Sequence, residues 1–236
     1  GLAATDLAAA AVTSLEADPE RSILLAMEAV SSTYPVDGTW TAEAETALHQ
    51  AIGRSRVIRT VRPAGGTDLR AVAFSPDGRR IATALDNGTV ALWEAATGEH
   101  LADLTGHEGF VNGITFNSGG TLLATAGDDG TVRLWNVAGR HLRTFSGHTS
   151  WVDRVAFDPG GANLASSGGD QWLIVWDLQS GAERRRFRTS TDATSPIGVA
   201  FSPDGQLVAG GGPDNSVVLW DVMSGDELTV LRGHTD

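Results

Sequence analysis

Two groups of side chains in this sequence contain the residue types of a hydrolase triad. His148, Ser166 and Asp170 supply a base, a hydroxyl nucleophile and a carboxylate. A second group in the same order consists of His107, Thr125 and Asp129. The G-x-S-x-G turn that exposes the nucleophile in one large class of hydrolases is absent. Whether these groups do chemistry therefore depends on the elements that position them.

The segment of residues 106–136 contains the second group and predicts three short strands. It begins with a Gly-His pair and continues with three alternating runs, which are separated by a Gly-Gly turn and an Asp-Asp-Gly turn. The last run ends at Trp135. Alternation of apolar and polar residues between Gly and Asp turns is typical of antiparallel strands.

The same segment recurs along the chain. Trp93, Trp135, Trp176 and Trp220 each end an equivalent run, with spacings of 42, 41 and 44 residues. The same intervals separate Phe74, Phe116, Phe157 and Phe201. A period of about 40–45 residues with Gly-His and Trp-Asp marks indicates a propeller repeat of four strands per blade.

On these residues the chain from 56 to 236 resembles the WD40 repeat family. Trp-Asp pairs stand at Trp176-Asp177 and Trp220-Asp221, and Gly-His pairs begin at Gly106, Gly147 and Gly233. The resemblance implies a mainly β fold, a WD40 β-propeller with four blades, preceded by a small α-helical segment.

The strand count predicts that these four blades are an incomplete part of a seven-blade ring. Residues 57–61 have the pattern of an outermost strand whose inner strands are not in the chain, and His234 begins a repeat that the chain does not continue. We therefore expect the remaining propeller blades in the parent chain, because radial repetition is how propellers avoid exposed edges.

The resemblance gives the two triad-like groups a structural role. In WD40 blades such residues form a hydrogen-bonded tetrad with the Trp, so no catalytic residue is expected. The predicted structural tetrads are His107, Thr125, Asp129 and Trp135, and His148, Ser166, Asp170 and Trp176. Repeats 1 and 4 depart from the pattern, with Gly65, Asn87, Asp192 and Gly210 at tetrad positions, and we expect those blades to be less rigid.

The family also implies a partner-binding face. Partner contacts in WD40 proteins often come from the third and fifth positions after the Gly-His histidine and from the residue before the tetrad Asp. The matching residues are Asp68, Arg70, Asp86, Phe110, Asn112, Asp128, Trp151 and Asp153. Aromatic residues beside acids suit a binding hot spot, and the acids favour a basic partner segment. The alternative is that Phe110 and Trp151 only pack where their strands begin.

Residues 1–55 form a predicted α-helical connector, separate from the repeats of residues 56–236. Leu7, Ala11 and Leu15 share one helix face, a second helix begins at Asp18, and a third begins near Thr41. The stretch resembles the connector between an effector module and a WD40 propeller in large bacterial signalling proteins. A single TPR-like helical hairpin is the alternative.

Composition excludes several classes of function. The chain has no Cys, which excludes disulfides, thiol nucleophiles and Cys-based zinc sites. It also has no Lys, so it has no Walker A or Schiff-base lysine. A formal charge of −12 argues against nucleic acid as the main partner. No apolar run reaches the roughly 20 residues that cross a bilayer, and no metal or cofactor site is expected.

These observations predict a cytoplasmic platform for protein or peptide binding, without catalysis in this segment, within a larger bacterial signalling regulator. The alternative is the regulatory region of an enzyme, a STAND-type NTPase or a kinase, whose catalytic domain lies upstream of residue 1. A purely structural scaffold is the third possibility.

Overall fold

The structure is a computed structural model that describes residues 4–14, 25–26, 46–47, 68–189, 198–212 and 216–233. The chain divides into two compact units, residues 1–61 and 62–236. The domain boundary predicted between residues 55 and 56 lies outside the described residues.

The first unit contains helix α1 (Ala4–Ser14). Leu7 and Ala11, predicted to share one face of this helix, are buried, and they cluster with Ala26 and Ala47. Small apolar side chains on one helical stripe allow such close packing. The second and third predicted helices lie mostly outside the described residues, apart from helical turns at 25–26 and 46–47.

The second unit consists of four antiparallel sheets, each built from four strands that follow one another in the chain. We call these sheets blades 1 to 4, in chain order. Blade 1 contains β1 (Leu69–Phe74), β2 (Arg80–Leu85), β3 (Val90–Glu94) and β4 (His100–Leu104). Blade 2 contains β5 (Val111–Phe116), β6 (Leu122–Gly127), β7 (Thr131–Asn136) and β8 (His141–Ser146). Blade 3 contains β9 (Val152–Phe157), β10 (Asn163–Gly168), β11 (Trp172–Asp177) and β12 (Glu183–Arg188). Blade 4 contains β13 (Val199–Phe201), β14 (Leu207–Gly211), β15 (Val217–Asp221) and β16 (Glu227–Leu231).

Short turns with glycine set the register of these strands. In blade 1, Gly78 has a φ of 69° in the Ser-Pro-Asp-Gly turn between β1 and β2. The Ser75 hydroxyl donates to Asp77 Oδ1 at 2.6 Å, and the amide of Arg79 donates to the same carboxylate at 3.0 Å. The side chain of Asp77 therefore stabilises the turn whose positive φ glycine provides. The predicted four-strand repeats are confirmed.

Successive blades pack face to face, and each interface uses equivalent residues. We call the face of a blade that contacts the preceding blade its leading face, and the opposite one its trailing face. At the first interface the trailing side chains are Val90, Leu92 and Leu104 of blade 1, and the leading side chains include Phe116 and Trp135 of blade 2. Equivalent clusters join blade 2 to blade 3 and blade 3 to blade 4.

Two of these faces have no blade against them. On the leading face of blade 1, Val72 and Phe74 are exposed, and on the trailing face of blade 4, Leu231 is exposed. The four blades therefore do not form a closed ring, as predicted. The predicted orphan strand at 57–61 and the repeat that begins at His234 lie outside the described residues.

Candidate functional site

The predicted tetrad side chains of blade 2 form one hydrogen-bonded chain. His107 Nδ1 lies 3.0 Å from both carboxylate oxygens of Asp129, and Nε2 lies 2.8 Å from Thr125 Oγ1. The indole N–H of Trp135 donates to the same hydroxyl at 3.0 Å. The loop before β5 supplies the His, the turn between β6 and β7 supplies the Asp, and β6 and β7 supply the other two residues.

Blade 3 repeats this arrangement with serine in place of threonine. His148 Nδ1 lies 2.9 Å from Asp170 Oδ1, and Nε2 lies 2.8 Å from Ser166 Oγ. The Trp176 indole N–H donates to Ser166 Oγ at 2.8 Å. The structure thus contains both predicted tetrads, and the four residues of each are joined by hydrogen bonds.

The direction of the hydrogen bonds in each chain follows from the charge state of the histidine. Burial lowers the pKa of His107 below its ordinary value, although the charge of Asp129 acts in the opposite direction. Burial likewise lowers the pKa of His148. A neutral imidazole has one donor and one acceptor nitrogen, so Nδ1–H donates to the Asp and Nε2 accepts from the hydroxyl. Each chain therefore runs from the indole through the hydroxyl and the imidazole to the carboxylate.

The hydrogen bonds run in the same direction as in a hydrolase triad, but the hydroxyl of Ser166 is inaccessible. Ser166 has no exposed surface, and its Oγ already accepts the indole N–H of Trp176. A nucleophile must approach a substrate carbonyl, with the reacting atoms about 3–3.5 Å apart. Ser166 cannot do so in this structure. The four groups instead supply one another with the hydrogen bonds that buried polar groups require.

The sequence patterns did not predict that an arginine covers the glycine of the Gly-His pairs before blades 2 and 3. An ideal Cβ on Gly106 would lie 2.7 Å from Arg133 Nη1, and Arg133 Nη2 lies 3.6 Å from Asp129 Oδ2. In blade 3 the guanidinium comes from the neighbouring strand, because Arg186 Nη2 donates to the Gly147 carbonyl at 3.2 Å. Arg133 on β7 pairs with Thr144 on β8, whereas Arg186 on β12 pairs with Ile174 on β11. The arginine therefore lies on the third strand of blade 2 and on the fourth strand of blade 3.

Blades 1 and 4 retain only parts of the tetrad. In blade 1 the Trp93 indole donates to Thr83 Oγ1 at 2.9 Å, and the side chain of Asn87 accepts from the Thr89 amide. In blade 4 Gly210 has no hydroxyl to offer Trp220, whose ring stacks on Phe187 at 5.2 Å. The remaining substituted positions, Gly65 and Asp192, lie outside the described residues.

The second set of predicted residues surrounds the Gly-His turns, on a surface that we call the Gly-His face. In three blades the third position after the histidine lies beside the residue that precedes the tetrad Asp position. The Asp86 amide donates to the Asp68 carbonyl at 3.1 Å, and the Asp128 amide donates to the Phe110 carbonyl at 2.9 Å. The Gly169 amide donates to the Trp151 carbonyl, also at 2.9 Å. The backbone therefore brings these sequence-distant positions into contact.

The fifth residue after the histidine position lies at a β-bulge in the innermost strand of each of these three blades. The strand register shifts between Leu69 and Ala71, between Val111 and Gly113, and between Ser167 and Gly168, opposite Arg154 and Val152. The residues at these shifts are Arg70, Asn112 and Asp153. Bulges of this kind turn a side chain away from the regular pleat. At this shared position Arg70 is exposed, and Asn112 and Asp153 are half-buried.

Side chains of the Gly-His face also make contacts between blades. The Arg70 guanidinium lies 4.1 Å from the centroid of the Phe110 ring, a cation–π contact between blades 1 and 2. The Asn112 amide donates to Asp128 Oδ1 at 2.8 Å and to the Val152 carbonyl at 3.2 Å, which connects blade 2 to blade 3.

Trp151 and Asp153 provide the apolar and the acidic part of this face in blade 3. An ideal Cβ on Gly169 would lie 2.4 Å from the Trp151 ring, so only glycine leaves room for the indole, which remains exposed. Asp153 Oδ2 is buried without a hydrogen bond, 3.4 Å from Arg154 Nε. Burial raises the pKa of Asp153, although the Arg154 guanidinium opposes this effect.

Comparison with known proteins agrees with the geometry of the blades. The family model described as WD domain, G-beta repeat, matches residues 56–94, 98–136, 139–177 and 184–221, more than half of the chain. The chain belongs to the WD40 repeat family. WD40 repeats in general mediate protein–protein interaction and scaffolding.

Two similar proteins extend this comparison. An uncharacterised WD repeat-containing protein of Nostoc sp. is 54% identical over 41 residues, which is 17% of this chain and 3% of that protein. The solved structure of U3-55K has a TM-score of 0.66 at 23% identity, over 75% of this chain and 55% of that chain. This second likeness shows a shared fold. The matched regions span 3% and 55% of these two proteins, less than two thirds of either.

The described part of the chain contains neither a helical membrane span nor a cluster of metal ligands. No helix in the described ranges is long and apolar enough to span a membrane. Among the residues that the structure describes, no three His, Cys, Asp or Glu side chains are grouped as metal ligands would be.

Proposed function

We propose that this chain is a protein-interaction platform whose Gly-His face binds a peptide segment of a partner. The observation that carries the proposal is the placement of three bulged residues, Arg70, Asn112 and Asp153, beside the exposed rings of Phe110 and Trp151. Aromatic side chains in such positions are frequent hot spots of protein interfaces.

The chemistry of the face favours a basic partner segment. Asp68 and Asp128 are exposed, and Asp153 adds a third, partly exposed carboxylate. A guanidinium or ammonium group of a partner would pair with these carboxylates and would also suit the face of the Trp151 indole. The net charge of −12 adds long-range attraction for cationic segments and repels nucleic acid.

The contacts of Phe110 and Trp151 are compatible with both interpretations, packing and partner binding. Phe110 packs under Arg70, and Trp151 packs on Gly169, so each ring has a fixed position. Each ring also keeps an exposed side. A ring that is already held in place loses little conformational entropy when a partner binds, which favours a hot spot.

The wider biological setting is also part of the proposal. The helices of residues 1–55 resemble connectors of large bacterial signalling proteins, which favours a cytoplasmic regulator with an effector module upstream. Further blades of a longer parent chain would fit the uncovered faces of blades 1 and 4, because those faces are apolar in the way that the internal blade interfaces are.

A random peptide display library offers a direct test of the Gly-His face. Peptides selected on the 236-residue chain should be enriched in Arg and Lys. Trp151→Ala should weaken their binding, measured by calorimetry, by about 2 kcal/mol or roughly 30-fold in Kd. Asp153→Asn should weaken it in the same direction.

Met223→Ala is the matched control, because Met223 is an exposed apolar residue in the turn between β15 and β16, at the opposite end of the strands. It should leave the affinity unchanged. Peptides that bind Trp151→Ala as tightly as the unaltered chain, with the variant still folded, would rule out this face. Selection of acidic peptides would rule out the basic partner.

A further inference from the structure

The two aromatic side chains of the Gly-His face, Phe110 and Trp151, differ in what lies on them. The Arg70 guanidinium lies 4.1 Å from the centroid of the Phe110 ring. Among the described residues, no arginine lies over the Trp151 ring, although this ring is the more exposed of the two, 48% against 39%. One ring therefore has a cation from the chain itself, and the other has none.

The fifth position after the histidine accounts for this difference. In blades 1 and 2 the side chain at this position reaches into the following blade, because Arg70 contacts Phe110 and the Asn112 amide donates to the Val152 carbonyl at 3.2 Å. Val152 directly follows Trp151. Arg70 and Asn112 thus have equivalent positions beside equivalent rings. Asn112 is shorter and uncharged, so it bonds to the backbone and places no cation on the indole.

The place over the Trp151 ring is bordered by a carboxylate. Asn112 Nδ2 also donates to Asp128 Oδ1 at 2.8 Å, so a single amide group joins this exposed carboxylate to the backbone next to Trp151. Asp128 Oδ2 makes no hydrogen bond within the described part of the chain. The indole itself packs on Gly169, which fixes its position. An exposed aromatic surface and a carboxylate oxygen are therefore held close together.

We propose that this place takes one arginine side chain of the partner, which stacks on the Trp151 indole as Arg70 stacks on Phe110 and pairs with Asp128. A guanidinium suits both contacts because it is planar: its face covers an aromatic ring while its in-plane N–H groups donate to a carboxylate. The ammonium of a lysine supplies the charge without the flat surface. The inference rests on the proposed binding of a peptide at the Gly-His face and names the side chain that this face recognises.

The charges around Trp151 also favour a cation. Asp128 and Glu108 are exposed carboxylates of blade 2 and of the loop before it. Arg154 is held by Asp153 Oδ2 at 3.4 Å from its Nε and by the Asn112 carbonyl at 3.4 Å from its Nη1, so it does not neutralise Asp128. A partner carboxylate would be repelled here, whereas a guanidinium would gain from the unpaired acid.

Asn112→Arg tests the inference by supplying the cation from within the chain. The new guanidinium would have the position that Arg70 has relative to the next ring, so it should occupy Trp151. Arginine peptides selected by display should then bind at least roughly 10-fold more weakly in Kd. Asn112→Gln is the matched control, because it alters the same hydrogen bonds without adding a cation, and it should change Kd by less than about threefold. A loss in Asn112→Gln as large as that in Asn112→Arg would contradict the proposal.

Asn87→Arg separates occupation of the ring from added charge. Asn87 is exposed in the turn between β2 and β3 of blade 1, so this variant adds the same charge to the Gly-His face but in a different blade from Trp151. Its effect on binding should be small and should vanish at high salt, whereas the effect of Asn112→Arg should persist. Equal losses in both variants at high salt would mean that the ring is not the site.

The unaltered chain provides an independent measurement if a variant does not fold. The probe is the peptide acetyl-Gly-Gly-Arg-Gly-Gly-amide, and the readout is the Trp151 indole N–H signal in a nitrogen-15 NMR spectrum, assigned with Trp151→Phe. The signal should shift with a Kd of roughly 1–30 mM. The lysine counterpart should bind roughly 3- to 10-fold more weakly, and the neutral citrulline counterpart should cause no shift. No shift with arginine, or an equal shift with citrulline, would overturn the proposal.

The same measurements distinguish failure of this inference from failure of the proposed function. If display-selected peptides require Trp151 but bind equally well with citrulline in place of arginine, the arginine site is wrong and the peptide-binding face stands. If Trp151→Ala leaves the binding of every selected peptide unchanged, both the face and the arginine site are wrong.

Discussion

Blades 2 and 3 and blades 1 and 4 have the same strand order, but different forces hold them together. In blades 2 and 3 the Gly-His end is fixed by a buried chain from indole to carboxylate, and both blade faces are covered. Blade 1 retains only the bond from Trp93 to Thr83, and blade 4 relies on the stack of Trp220 on Phe187. No blade lies against the leading face of blade 1 or the trailing face of blade 4.

The difference indicates that the repeat has two separable sources of stability. Apolar packing between blades requires only a neighbour, and the tetrad requires four polar residues in one blade. Blades 2 and 3 have both, so we expect them to form the rigid part of the chain. The outer blades lack part of each, and their stability depends on what covers them.

The largest effect is expected from Trp176→Ala, which removes the indole at the centre of the blade 2–3 interface. Its ring packs near Phe145 with 5.6 Å between centroids and donates to Ser166. We expect a loss of about 3–5 kcal/mol in the free energy of unfolding, measured by urea denaturation. Trp220→Ala should cost less, because position 210 has no hydroxyl. Equal losses at both positions would break the distinction between the blades.

His148→Ala should have a smaller effect, a loss of about 1–3 kcal/mol, because the buried Ser166 hydroxyl loses its acceptor and the Asp170 carboxylate loses one of its donors. His141→Ala is the matched control, since His141 lies exposed on the outer strand of blade 2. A hydrolase activity that disappears in His148→Ala without any loss of stability would instead show that the group is catalytic.

Acidification should perturb the same chains more mildly. Burial lowers the folded-state pKa of His107 and His148, whereas unfolded histidine titrates near a pKa of about 6.5. Below this value the unfolded chain binds more protons than the folded one, so stability should fall as pH falls. The loss in Tm between pH 7.5 and pH 5 should be smaller in His148→Gln. Equal losses would show that His148 does not titrate on unfolding.

The smallest effect is expected at the turn of blade 3, where Gln171 has a φ of 66°. Blade 2 has Gly130 at this position, with a φ of 72°. A side chain in this left-handed region is strained, and glycine removes the strain. Gln171→Gly should therefore stabilise the chain by about 0.5–1 kcal/mol, after the lost bond from Arg188 to Gln171 is included. A destabilised variant would show that this bond outweighs the strain.

The repeat itself could be predicted because it rests on local patterns. Alternation, Gly and Asp turns and the spacing of the tryptophans are enough to place the strands, and the order of His, Ser or Thr, Asp and Trp is enough to bring the tetrads together. These signals are periodic, so four copies reinforce one another. The run predicted to end at Trp135 corresponds to β7, which ends one residue later, at Asn136.

The remaining features depend on long-range packing that no local pattern specifies. The guanidinium over the Gly-His glycine comes from β7 in blade 2 and from β12 in blade 3, so Arg133 and Arg186 share no position in the repeat. The contact of Trp151 with Gly169 and the bulge at Asp153 follow from the backbone. The resemblance to the family was enough to name the residues of the Gly-His face. It was not enough to predict the backbone geometry that these residues share.

Native-state hydrogen exchange tests most directly the claim that the two inner blades are the rigid part of this chain. It should be measured on the 236-residue chain. The account predicts that amides of β6, β7, β10 and β11 exchange only through global unfolding, and that those of β2, β3, β14 and β15 exchange at lower free energy. Equal protection of the central strands in all four blades would contradict it, because tetrads and neighbouring blades would then contribute nothing to the difference in rigidity.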